Sequence, residues 1–429
     1  MNASRSVVTG DVVVRGSKIV QLGGRADVGP AHVIDASGCI VVPGLVQAHV
    51  HLCQALFRGL ADDLPLLDWL RKRIWPLEAA HNRRSLAASA RLGLAEMLLS
   101  GTTTILDMGT VHHQDEVFDA MAESGIRGLS GKAMMDAGNG VPDGLLESTE
   151  TSVRQSIALQ KRWHGKESGR LGYAFAPRFI LSCSDGLLRH VADLSRETGC
   201  LIHSHAAEHA EEQDIVRKKR GKTDVMALAD LGISGSRVVL AHGVQLDKNE
   251  MKVVAGHGTR FVHCPSANLK LASGIADVCA MRAAGIVVAL GADGAPCNNR
   301  MDPWTELRQA ALLAKVRRND ASALPAHEAF AMATIDGARA LGWNELVGSV
   351  EVGKLADIVV VDRRNLHAMP HGDVMSFLVY ACTPNDVRHV MVDGRIVVRN
   401  GELQTLDVDQ VRADANRESV ALLRRAKLD

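Results

Sequence analysis

Short runs of apolar, β-branched residues alternate with stretches of helical period through most of the middle of this chain. Strands are predicted at 39–47, 102–108, 127–134, 171–176, 200–205, 237–242, 259–263 and 287–291. Helices are predicted at 84–99, 117–124, 149–163, 187–198, 225–231, 248–256, 278–284, 304–315 and 327–341. Such alternation implies a parallel sheet, because parallel neighbours need a crossover connection. Eight strand–helix units over about 290 residues fit a (β/α)8, or TIM, barrel, whose active site is built at the C-terminal strand ends. An open doubly wound sheet is the rival, but no G-x-G-x-x-G opens a first helix.

The flanks read differently. Residues 11–23 predict a hairpin turning at Arg15-Gly16-Ser17-Lys18, and a further short strand is predicted at 32–35. Near the other end, 356–362 and 389–398 repeat the same β-rich style. The expected architecture is therefore α/β: a barrel over 43–345 and a small β-sandwich domain assembled from 1–42 and 346–429, the latter ending in a helix.

Charge excludes some partners. The chain has 429 residues with 49 basic and 49 acidic side chains, a formal net charge of zero. Its largest basic cluster is Arg217-Lys218-Lys219-Arg220, read as a solvated helix face, so neither nucleic acid nor an anionic membrane is expected as a partner. No apolar stretch reaches about 18 residues and the N-terminus has no charged-then-apolar signal pattern, so a soluble cytoplasmic protein is expected. The eight cysteines are scattered singly without a C-x-x-C, which reads as buried reduced thiols.

The chemistry sits at the predicted strand ends. The first strand leads into Pro43-Gly44-Leu45-Val46-Gln47-Ala48-His49-Val50-His51. A strand's period of two puts His49 and His51 on one face and Val50 on the other. Alone, H-x-H is commonly a pair of satisfied core or surface residues. Here strand five ends in His203-Ser204-His205-Ala206-Ala207-Glu208, strand six in His242, strand seven in His263-Cys264 and strand eight in Ala292-Asp293. Three or four histidines with one Asp form a nitrogen/oxygen site suited to one Zn2+ or Fe2+. Such an ion lowers the pKa of a water it holds to about 7, and a nearby Glu and Asp can shuttle protons, which gives hydrolysis at a polarised carbon. His203 and His205 share a face, so periodicity leaves open which of them is a ligand.

The motifs Pro-Gly-x-x-x-x-His-x-His at 43–51, His205-x-x-Glu208, Ala241-His242-Gly243, His263-Cys264-Pro265-Ser266-x-Asn268 and Gly291-Ala292-Asp293-Gly294 together resemble the amidohydrolase superfamily. More narrowly they resemble its aminohydrolase branch, which includes deaminases of adenosine derivatives, guanine deaminases and s-triazine hydrolases. The resemblance spans essentially the whole chain, although the N-terminus is short for the family, whose first β-domain strand has no counterpart before Val7. It implies that His49, His51, His205 and Asp293 hold one metal ion, zinc or iron. It further implies that Glu208 protonates a ring nitrogen, Asp293 accepts a proton from the attacking water, and His242 stabilises the developing oxygen. The H-x-x-E spacing favours His205 over His203. Strand four carries no lysine, so a carboxylated-lysine bridge between two metals is not expected.

For the substrate, the resemblance implies a small heteroaromatic molecule. Trp69 reads equally as stacking on a ring or as packing the loop after strand one. Glu78 aligns with a Glu that grips ribose hydroxyls in deaminases of adenosine derivatives, but also reads as a surface residue at a helix start. Gln54, Arg178 and Phe179 match places where guanine deaminases hold the purine edge and face. Lys132 stands where adenosine-type enzymes carry an arginine, and it also reads as an ordinary surface or interface lysine. His112-His113 lies after strand two and reads equally as pocket lining or as an exposed helix start, while 298–302 resembles a loop that orients Asp293. The leading expectation is deamination of 5′-deoxyadenosine or methylthioadenosine, followed by guanine, 8-oxoguanine or pterin, then s-triazine hydrolysis. A homo-oligomer is expected from the same resemblance. Two readings from other classes are a scaffold that has lost its chemistry and a metal-free sugar-phosphate barrel. A scaffold would lack a ligand or Glu208, and a phosphate barrel would carry a Gly-rich site after strands seven and eight.

Overall fold

The N-terminal hairpin forms as β1 (Val12–Arg15) and β2 (Lys18–Leu22), an antiparallel pair. A computed structural model describes every residue of the chain except 1, 3, 4, 28 and 429. No strand forms at 32–35, where the side chains are mostly exposed and lack an apolar surface to pack on.

The predicted first strand is two strands. β3 (Cys39–Pro43) and β4 (Leu45–Val50) are separated by Gly44, where a Cβ would collide with the Thr103 side chain. β3 turns away to pair with a strand from the far end of the chain, and β4 enters the barrel.

The barrel continues through β5 (Thr102–Met108), β6 (Arg127–Gly131), β7 (Ala133–Met134), β8 (Leu171–Pro177), β9 (Leu201–Ala206), β10 (Val238–His242), β11 (Arg260–His263) and β12 (Val288–Leu290). Hydrogen-bonded neighbours run β4-β5-β6-β8-β9-β10-β11-β12, all parallel, and β7 adds a short pair to β8. The predicted strand 127–134 is interrupted at Lys132. β4, β5 and β8 are buried along their whole length, which is why their sequences lack the alternation of a half-exposed strand.

Closure is tight. β12 meets β4 through a parallel bridge between Val50 and Asp293, with the Asp293 N–H donating to the His49 carbonyl at 3.1 Å. Gly291 makes this approach possible, because a Cβ there would lie 2.5 Å from the His49 carbonyl oxygen. The seam therefore brings the last barrel strand directly against the H-x-H segment.

The second sheet is antiparallel, in the order β16 (Glu402–Leu403), β15 (Arg395–Arg399), β14 (Val387–Val392), β13 (Ile358–Asp362) and β3. Ile19 of the hairpin packs with Ala356 and Ile358, so both termini build this layer. The predicted helix 327–341 is two helices, Ala326–Met332 and Ile335–Leu341, broken at Thr334. Helical segments outside the predicted ranges include 66–79 after β4, Pro265–Lys270 and Ala210–Arg220. The last of these carries the Arg217–Arg220 cluster on its final turn, as the helix-face reading expected.

Candidate active site

The C-terminal end of β4 sends His49 and His51 to one side, both buried. The Nδ1 of His51 lies 2.8 Å from the Met108 carbonyl, and the Nδ1 of His205 lies 2.7 Å from the Arg178 carbonyl. A carbonyl only accepts, so both Nδ1 atoms carry protons and both Nε2 atoms present bare lone pairs. These two Nε2 atoms face one another at 3.2 Å with no proton between them.

His49 reaches the same state through one more residue. His203 donates from Nδ1 to the Val239 carbonyl at 2.9 Å, and its Nε2 accepts from Nδ1 of His49 at 2.7 Å. The Nε2 of His49 is then bare and has no hydrogen-bond partner despite being fully buried. It lies 3.3 Å from Oδ1 of Asp293, and Nε2 of His51 lies 3.4 Å from the same oxygen.

Three nitrogens and one carboxylate oxygen thus converge with every lone pair directed inward. Without a cation this packing sets acceptors against acceptors, and a divalent ion resolves it. Burial keeps the imidazoles neutral, as ligation requires: His51 is pulled down to about 3, and His205 and His203 well below their usual range. The cluster is a divalent-metal site. Ligand atoms of His49, His205 and His242 lie within 4.8 Å of one another, as do those of His49, Cys264 and Asp293. Burial raises the Cys264 thiol well above its ordinary range, so it lines the cluster as a protonated group.

Glu208 and His242 complete the floor. The Nδ1 of His242 is 2.9 Å from Oδ1 of Asn268, while its Nε2 faces Oε2 of Glu208 at 3.5 Å and Oδ2 of Asp293 at 3.8 Å. Burial pushes the Glu208 carboxyl up to about 7 against the pull of His242, with Asp293 adding to the rise. Three non-glycine residues here take left-handed backbone conformations: Ala207 (φ +52°), His242 (φ +82°) and Asp293 (φ +63°). Such strain persists only where surrounding contacts over-determine it.

Three of the five expected substrate-facing residues, Gln54, Glu78 and Arg178, form one hydrogen-bonded network. Arg178 forms a buried, two-pronged ion pair with Glu78, and Gln54 donates from Nε2 to Oε1 of Glu78 at 2.8 Å. Oε1 of Gln54 is buried without a partner, beside Gly294. Trp69 and Phe179 are buried in the apolar cluster that also contains Cys264 and Cys297. Asn298 donates to the Ala292 carbonyl at 2.8 Å and so ties down the turn that carries Asp293.

Other residues belong elsewhere. Lys132 is no surface lysine: it is fully buried, bonded to Glu147 and, at 2.9 Å, to Gln155. His112 is exposed and bonds the Gly144 carbonyl at 2.9 Å. Sequence reasoning gave no role to His203, and it missed the Glu78–Arg178 pair, which no local pattern signals. Cys264 had a visible cue, since it directly follows the histidine that ends β11.

A closed parallel barrel with a four-donor metal cluster and a flanking acid at its C-terminal mouth defines the metal-dependent hydrolases of the (β/α)8 class. The profile of the amidohydrolase family matches residues 40–397, and the chain belongs to that family. It is 40% identical over 397 residues to a 5-methylthioadenosine/S-adenosylhomocysteine deaminase of Thermococcus onnurineus, covering 92% of this chain and 91% of the relative. It is also 40% identical over 399 residues to a 5′-deoxyadenosine deaminase of Methanothermobacter thermautotrophicus, covering 93% and 91%. Among solved structures, an adenosine deaminase from Xanthomonas campestris with bound zinc superposes with a TM-score of 0.89 at 32% identity, covering 96% and 93% of the two chains.

Proposed function

We propose that this chain is a hydrolytic deaminase of a purine-like ring, with an adenosine derivative such as 5′-deoxyadenosine or methylthioadenosine as substrate. The observation that carries this reading is the convergence of four inward-facing donors beside the Glu208–His242 pair. A zinc ion, with iron as the alternative, would be held by His49, His51, His205 and Asp293, and when bound it supplies Lewis acidity and an ionised water at neutral pH. The likeness to deaminases of adenosine derivatives and to a zinc-bearing adenosine deaminase supports both ring and metal.

The side chains then divide the proton work. Glu208, a neutral acid up to about pH 7, protonates the ring nitrogen beside the attacked carbon. His242, protonated on both nitrogens, donates from Nδ1 to Oδ1 of Asn268 and from Nε2 to the oxygen that develops on that carbon. Asp293 takes the proton released by the attacking water and returns it to the amino group. The carbon–nitrogen bond breaks, ammonia leaves, and the ring keeps a carbonyl oxygen.

One observation favours a second reading. Both Glu78 oxygens are engaged by Arg178, so Glu78 is neutralised rather than poised for a ribose diol, and the orphaned Gln54 acceptor suits a ring N–H. This supports a free base of the guanine, 8-oxoguanine or pterin kind. An ammonia-release screen of the zinc-loaded protein against adenosine derivatives, guanines, pterins and s-triazines decides between them. Ammonia from nucleosides supports the first reading, ammonia from free bases supports the second, and silence across the panel removes both.

We further propose a cytoplasmic homo-oligomer. Eight free cysteines suit a reducing compartment, and the exposed Leu312 and Val316, four apart on the helix Pro303–Arg318, offer an apolar patch for a second copy. Light scattering in solution tests the assembly.

A further inference from the structure

The strand that carries His205 poses a geometric problem. Side chains alternate along β9, so His203 and His205 point into the barrel and Ala207 would follow them if the strand continued. Glu208 would then point outward, away from the cluster. It instead lies 3.5 Å from His242. What reverses it is the left-handed conformation of Ala207, at φ +52°.

Ala207 is a poor residue for that role. Asp and Asn visit the left-handed region readily because their side chains bond locally, and Gly does so freely, whereas an alanine there costs about 1 kcal/mol. The turn must be held from outside. Its C=O accepts from the Gln245 N–H at 2.8 Å, and the preceding Ala206 C=O accepts from Gly243 at 3.1 Å. Its N–H donates to Oδ2 of Asp224 at 2.6 Å.

Asp224 is fully buried and is itself fixed. Its other oxygen accepts from the Gln213 side-chain amide and from the Val225 N–H at 2.6 Å. The carboxylate therefore joins three segments: the helix Ala210–Arg220, the helix Asp224–Asp230 and the turn between the ligand and the acid.

We infer that Asp224 is a positioning residue for catalysis, which holds Ala207 in its strained turn and so aims Glu208 at the substrate ring. The inference rests on the role proposed above for Glu208. Asp107 makes an instructive parallel: its Oδ1 accepts the Leu52 N–H at 2.8 Å, immediately after His51, and its Oδ2 accepts from the Ser130 hydroxyl, so it braces the ligand strand and not the Ala207 turn. Loss of Asp107 perturbs the metal, whereas loss of Asp224 perturbs the acid.

The test compares Asp224→Ala and Asp224→Asn with wild type in the zinc-loaded full chain, by hydrogen exchange of the Ala207 amide, zinc content and steady-state kinetics. D224A is expected to speed exchange at Ala207 at least tenfold and to lower kcat 10- to 100-fold, with KM within threefold and one zinc retained. D224N keeps one oxygen acceptor but sets an amide NH2 against the N–H donors on its other side, so its exchange and kcat should lie between those of wild type and D224A. If D224A does not fold, A207G/D224A takes its place, because glycine adopts the turn without strain. Its kcat should lie within threefold of that of A207G. Unchanged exchange at Ala207 in D224A, zinc loss in step with kcat, or a D224N defect as deep as that of D224A overturns the inference. So does a tenfold gap between A207G/D224A and A207G. Failure of the wild type to release ammonia from any substrate would instead remove the proposed role of Glu208, and the exchange result would still stand or fall by itself.

Discussion

The Nε2 of His203 accepts a hydrogen bond from the Nδ1 of His49 at 2.7 Å, which turns the second nitrogen of His49 toward Asp293. The two histidines of β9 thus divide between two tasks. His205 faces the cluster, and His203 fixes the tautomer of a donor on another strand. Partners that orient a ligand in this way commonly contribute about 10- to 100-fold to metal affinity.

His203→Ala should therefore still bind one zinc per chain at saturating metal but lower affinity by about 10- to 100-fold. Competition with a chromogenic chelator measures this. Failure to bind zinc at any concentration would make His203 a ligand.

Glu208→Gln removes the acid and preserves the shape of the side chain. Zinc content should match wild type while kcat falls by about 10²- to 10⁴-fold. Retained turnover would take Glu208 out of the mechanism.

Breaking the Glu78–Arg178 pair leaves a buried, uncompensated charge. Glu78→Gln should destabilise the protein by about 3–5 kcal/mol, and Glu78→Gln with Arg178→Met should recover most of that loss. Denaturant titration reads both values. Equal stability of the single and double variants would contradict the pairing.

Asp107 gives a pH signature. Burial raises its carboxyl from 3.8 to about 6 against hydrogen bonds from Ser130, Leu52 and Gln114. The folded state therefore holds this proton more tightly than the unfolded chain does. Stability from this group is fully present below about pH 4, declines as pH rises toward 6, and is lost by about 3 kcal/mol above that. Asp107→Asn should flatten that part of the stability–pH curve. A curve identical to wild type would show that Asp107 ionises normally.

Much of the architecture was legible because barrel strands are buried on both faces and so appear as short runs rich in apolar and β-branched residues, as Thr102–Met108 and Leu171–Pro177 do. The histidines at 49, 51 and 242 stood out because they end such runs. Other features lie in contacts that sequence does not encode locally. The Nδ1 partners of His51, His205 and His203 are backbone carbonyls, which every residue possesses. Glu78 and Arg178 meet across 100 positions of chain. The helix Ala210–Arg220 buries only Glu212, Gln213 and Val216, so it shows almost no apolar stripe. The break at Gly44 depends on Thr103, a residue of the neighbouring strand.

The most direct test is an anomalous difference map at the zinc edge from crystals of the zinc-loaded protein. The account predicts one peak per chain, about 2.0–2.2 Å from Nε2 of His49, His51 and His205 and from a carboxylate oxygen of Asp293. A second peak, or a single peak bound by His203 or Cys264 in place of one of these four, would contradict it.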